Sequence, residues 1–129
     1  YDLKTAMILG KQPTGNGFSN TCAPTNLYLQ AGDVSFDEMI KDIKEGLYVT
    51  SLAGLHSGLN PVSGDFSAQA SGYKIMDGKV AGPVSLIVVS GNFLSLLKDV
   101  ENVANDLVTT ISGVSSPSVL VKELAVSGE

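Results

Sequence analysis

Apolar and polar positions alternate most clearly between residues 66 and 89. Phe66, Ala68 and Ala70 interleave with Ser67, Gln69 and Ser71. Val84, Leu86 and Val88 interleave with Ser85, Ile87 and Val89, so the second arm is apolar on both faces. Asp77-Gly78 lies between the arms. Both positions of a two-residue hairpin turn need positive φ, which Asp and Gly tolerate, so the pattern predicts a hairpin. A half-buried strand would feed a more deeply buried one. Ser35-Phe36-Asp37-Glu38 fits a capping box, and Phe36, Met39, Ile40, Ile43 and Leu47 then recur at helical spacing. That spacing predicts a helix over about 35–47, ended by Gly46. A second helix is expected over about 93–107, with Leu94, Leu97, Val100, Ala104 and Leu107 in one stripe.

Shorter segments complete the reading. Thr5 to Leu9, Asn26 to Gln30, Tyr48 to Leu52, Val108 to Ile111 and Val119 to Val126 read as strands, separated by loops at 12–25 and 112–118. Two helices among six or seven short strands predict an α+β fold with a mainly antiparallel sheet. The 129 residues suffice for one domain with a core of its own. The chain opens on Tyr1 and enters an apolar pattern at once, as an excised piece of a longer protein would.

Composition narrows the function classes. The net charge is −5, and the eight basic residues are scattered lysines, so the electrostatic footprint of a nucleic-acid surface is missing. No apolar run approaches the roughly 18 residues of a membrane span, and no secretory leader pattern opens the chain. The single cysteine, Cys22, cannot form an internal disulfide, which suits a reducing compartment.

No catalytic constellation is visible. His56, the only histidine, lies beside Ser57 and ahead of Asp65, but sequence proximity does not supply triad geometry. Leu55 stands where a Gly-x-Ser-x-Gly elbow needs glycine. One His and one Cys are too few for a self-contained zinc site, although either could give one ligand to a site completed elsewhere. Gly10-Lys11 fails the spacing of a phosphate-binding loop. Asp65 after Gly64, with Asn60-Pro61 nearby, suits a carboxylate that holds a turn. Gly54, Gly58, Gly64 and Gly72 allow close approach of another backbone and equally allow a curved sheet.

Leu59-Asn60-Pro61-Val62-Ser63-Gly64-Asp65-Phe66-Ser67 resembles the TldD/PmbA family. The similarity continues through Ala70-Ser71-Gly72-Tyr73, Pro83-Val84, Ser90-Gly91-Asn92 and Asn105-Asp106-Leu107. Upstream it includes Thr14-Gly15-Asn16-Gly17 and Pro24-Thr25-Asn26-Leu27-Tyr28-Leu29, so essentially the whole chain is covered. The family includes zinc metallopeptidases and is also named for modulation of DNA gyrase. Its TldD type carries His-Glu-x-x-x-His upstream of a region like this one, with a cysteine near the C-terminus as third zinc ligand. Its PmbA type, also called TldE, lacks the metal site. Here no cysteine follows Asn105-Asp106-Leu107. The resemblance therefore implies the C-terminal region of a PmbA-type subunit, cytoplasmic, without catalytic or metal-binding residues of its own. Zinc is expected only in a TldD-type partner, with which the subunit would act on peptides. A homo-oligomer is the other assembly it allows, and binding to DNA gyrase is the alternative function. His56, Asn60, Asp65 and Ser67 become candidate lining of a cavity or interface.

Overall fold

The structure is a computed structural model describing residues 1–18, 21–23, 26–109, 111 and 113–128. The chain divides into two compact units, residues 1–30 with 107–116, and residues 31–106 with 117–129.

The first unit opens with helix α1 (Leu3–Leu9). The side chain of Asp2 accepts from the Thr5 amide at 2.9 Å, and Gly10 closes the helix at φ 61°. The strand expected over Thr5 to Leu9 is thus a helix, because the Asp2 cap supplies a nucleus that the short apolar run does not advertise. Strands β1 (Gly17–Phe18) and β2 (Thr21–Cys22) form a small antiparallel pair. Strand β3 (Leu27–Tyr28) falls inside the strand expected at 26–30. Its partner, in parallel, is a later segment of the same unit, Val114–Ser115. The Cys22 side chain, Thr110 and Ser112 lie outside the described residues.

The second unit holds the main sheet. Helix α2 (Phe36–Ile40) is capped as expected, with the Glu38 amide donating to the Ser35 hydroxyl at 3.2 Å. It ends seven residues before the position predicted for it, since strand β4 (Glu45–Ala53) claims Gly46 and Leu47. Next come the four-residue helix α3 (Leu55–Gly58), β5 (Asp65–Met76) and β6 (Lys79–Asn92). Helix α4 (Phe93–Lys98) also stops short, and Val100–Val103 becomes strand β7. The paired strand in the first unit, Val114–Ser115, is β8. The single strand expected over Val119 to Val126 divides into β9 (Val119–Val121), which pairs with β7, and β10 (Ala125–Ser127).

The sheet order is β10-β6-β5-β4, antiparallel throughout. Met76 pairs with Lys79 across Asp77 (φ 47°) and Gly78 (φ 73°), the left-handed pair that the hairpin signal demands. Ala70, Ile87 and Val89 form the buried cluster, with Leu47, Val49, Phe66 and Val84 packed against it. Each buried Ile or Val is worth about 1.5–3 kcal/mol, which outweighs the few tenths that helix propensity could offer at Leu47. This competition shortens α2. On the opposite side of β5, Ser67 and Gln69 face out. The α+β class and the mainly antiparallel sheet are as the sequence predicts.

Candidate functional site

All four candidate residues belong to the second unit, between α3 and the start of β5. Asn60 closes a tight turn. Its side-chain oxygen accepts from the amides of Val62 (2.9 Å) and Ser63 (3.3 Å). Its own amide donates to the Asp65 carbonyl, and its carbonyl accepts from Gly64, both at 2.8 Å. Gly64 sits at φ 82°, a conformation that strains residues with a Cβ. An isolated bridge between Leu59 and Phe66 continues the pairing.

Asp65 opens β5 opposite Asn92, the last residue of β6. The Asn92 amide donates to an Asp65 carboxylate oxygen at 2.8 Å and to the Ser63 carbonyl at 2.9 Å. The oxygen of the same side chain caps α4, accepting from Leu94 (3.0 Å) and Ser95 (3.3 Å). Phe93 donates to the Gly64 carbonyl at 2.8 Å. The Asn92 amide, and after it the Ser63 hydroxyl, hold the Asp65 carboxyl below the ordinary carboxylate range. Asn60, Ser63, Asp65 and Asn92 therefore make a polar clasp that joins the turn, both strands and α4.

His56 is an exposed residue of α3. The close approach of Gly58 to the Ser67 carbonyl, 2.0 Å from where a Cβ would be, lays α3 against β5. Even so, the Asp65 carboxylate is engaged by Asn92, and the Ser57 hydroxyl donates to the Gly54 carbonyl at 3.2 Å. The structure does not join the three into a relay. Ser67 is exposed on β5, where the Ser90 hydroxyl donates to it at 3.2 Å. Among the described residues, no three His, Cys, Asp or Glu side chains cluster to hold a metal ion. Nor is any helix among them long and apolar enough to cross a membrane.

Asn92 is the residue that sequence reasoning missed. Its position before an amphipathic helix marks a cap. Its bonds to Ser63 and Asp65 span 29 and 27 residues, and no local pattern reports them.

The profile of the PmbA/TldA metallopeptidase C-terminal domain matches residues 1–128. A "Metalloprotease" of Methanothermobacter thermautotrophicus is 38% identical over 108 residues, which are 80% of this chain and 24% of that protein. "Metalloprotease PmbA" of Escherichia coli O157:H7 is 34% identical over 96 residues, 74% of this chain and 21% of its own length. This chain thus spans about a quarter of these relatives or less. Among solved structures, a candidate modulator of a DNA gyrase from Thermotoga maritima superposes with a TM-score of 0.88 at 43% identity, covering 98% of this chain and 29% of that one. TldE from Thermococcus kodakarensis shares the fold, with a TM-score of 0.83 at 24% identity over 95% of this chain and 29% of its own. With a profile match along nearly its whole length, the chain belongs to the PmbA/TldA metallopeptidase C-terminal domain family.

Proposed function

We propose that this chain is the C-terminal region of a PmbA-type subunit in a cytoplasmic metallopeptidase assembly. In this reading it builds cavity wall or subunit surface around a peptide substrate, and a TldD-type partner holds the zinc. The observation that carries the reading is the fate of the candidate residues. The groups best suited to acid–base work are spent on architecture: Asp65 secures Asn92, and Ser57 bonds a backbone carbonyl. A carboxylate held ionised by hydrogen bonds is a poor proton donor near neutral pH. The turn it secures, running from Gly54 to Ser67, is the surface we assign to the cavity or to the partner.

The test is a zinc and activity measurement on the chain alone, on its full-length parent, and on either mixed with a TldD-type subunit. The chain alone is expected to hold no stoichiometric zinc and to cleave no peptide, with both properties arriving with the partner. His56→Ala is expected to leave the zinc content of the mixture unchanged. Tight one-to-one zinc with cleavage by the isolated chain would sink the proposal. Capture of DNA gyrase in a pull-down that retains no TldD-type subunit would put the gyrase reading in its place.

A further inference from the structure

The main sheet offers three outer edges, and they differ in how they are protected. β10 is only three residues long, and a very short edge recruits strands poorly. Past β10, the outer side of β6 from Lys79 to Ile87 carries Pro83, which has no amide to donate. The register of β6 also shifts twice there, between its pairs with Tyr73 and Ile75 and between those with Ala70 and Gly72. Such irregularities blunt an edge. β4, on the far side of the sheet, has no comparable device at its start. Glu45–Val49 pairs residue for residue with Met76–Gly72, holds no proline or lysine, and is first interrupted at Thr50.

The bonding pattern fixes which backbone groups of β4 are left open. Asp77 donates to the Lys44 carbonyl at 2.9 Å, in register with the Glu45–Met76 pair. Sides alternate along an antiparallel ladder, so Gly46 and Tyr48 bond β5, and the amides and carbonyls of Leu47 and Val49 point away from it. Among the described residues, β5 alone pairs with β4, and no backbone bond outside that ladder reaches Leu47 or Val49. Their side chains nevertheless pack against the buried cluster of Ala70, Ile87 and Val89. The edge is apolar in its side chains and open in its backbone, the combination that recruits another strand.

We propose that the edge of β4 is completed by a strand from the part of the parent chain that precedes Tyr1. The family match is to a C-terminal domain, and the chain spans 24% and 21% of the Methanothermobacter and Escherichia coli relatives, so most of a parent of that length lies upstream. A tethered segment meets the edge at high effective concentration, without the loss of freedom that a second molecule incurs. The inference rests on the reading of this chain as the C-terminal region of a longer subunit, and not on its lack of zinc. The added strand runs beside Glu45–Val49 and sets an apolar side chain, at every second position, next to Leu47 and Val49. It makes the sheet five-stranded and ties the second unit to the rest of the subunit.

Hydrogen–deuterium exchange resolved to single amides, in the full-length parent and in the chain alone, tests this. In the parent, Leu47 and Val49 are expected to exchange as slowly as Gly46 and Tyr48. In the chain alone they are expected to exchange about thirtyfold faster than in the parent, the factor that two hydrogen bonds of ordinary strength contribute. A benzophenone amino acid in place of the exposed Thr50 locates the occupant within the parent and does not require the isolated chain to fold. The expected product has monomer mass and joins position 50 to a segment upstream of Tyr1. Fast exchange of Leu47 and Val49 in the parent overturns the proposal, as does equal protection of both in the folded chain alone. An adduct of dimer mass, or one confined to residues 1–129, overturns it too. Neither readout involves zinc, so the outcome is independent of the zinc and activity measurement.

Discussion

Asn92→Ala is the sharpest test of the clasp as a structural element. The substitution removes the side-chain oxygen that accepts from Leu94 and Ser95, and the amide that donates to Ser63 and Asp65. Loss of an N-cap costs about 1 kcal/mol. Loss of a neutral hydrogen bond to a carbonyl such as Ser63 costs about another 1 kcal/mol. The bond to exposed Asp65 is left out of the sum because solvent screens it. The total of about 2 kcal/mol corresponds to a fall in Tm of about 7 °C for a chain of 129 residues. Urea unfolding of the chain, followed by circular dichroism, measures the difference directly. Asn92→Ser keeps a capping oxygen while losing the amide, so it is expected to cost about half as much, near 1 kcal/mol. Equal losses for the two variants, or a loss below about 0.5 kcal/mol for Asn92→Ala, would refute the division between cap and clasp.

Further outcomes follow from the same geometry. A Cβ at Gly72 would lie 1.9 Å from the Tyr48 carbonyl oxygen, so Gly72→Ala is expected to cost about 3 kcal/mol or more, read as a lowered urea midpoint. Leu86→Gly is expected to stabilise the chain by about 0.5–1 kcal/mol, because the φ of 59° becomes unstrained while little burial is lost. Asp106 accepts from the amide and the hydroxyl of Ser118, and chiefly the amide holds its carboxyl below the ordinary range, as the Asn92 amide does for Asp65. A depressed folded value gives stability that is complete above the unfolded carboxylate pKa, about 4, and is lost as pH falls through the folded value. Asp106→Asn is therefore expected to flatten the acid limb of the stability–pH curve, and an unchanged limb would count against the Ser118 bonds.

Much of this protein was legible in its residues because the signals were local. The Asp77-Gly78 turn and the Ser35–Glu38 cap each satisfy their requirements within four residues, and both form as predicted. The stretch from Leu59 to Ser67 marked the family before any contact was known, since its turn chemistry is written in consecutive side chains. Other features depended on partners remote in sequence. Ile43 and Leu47 have helical spacing with Phe36, yet the β4–β5 ladder and the cluster of Ala70, Ile87 and Val89 recruit Leu47 into a strand. The helix expected at 93–107 likewise yields Val100–Val103 to a ladder with Val119–Val121. Long-range pairing and burial exceed the weak propensities that periodicity reports. The same holds at the candidate site. Asn60 and Asp65 could be read as turn residues, but only the fold brings Asn92 to them and leaves Asp65 bonded to an amide instead of His56. The sequence by itself determined the class, the family, the hairpin and the cap. The tertiary structure decided where the helices stop and that the polar candidates form a clasp.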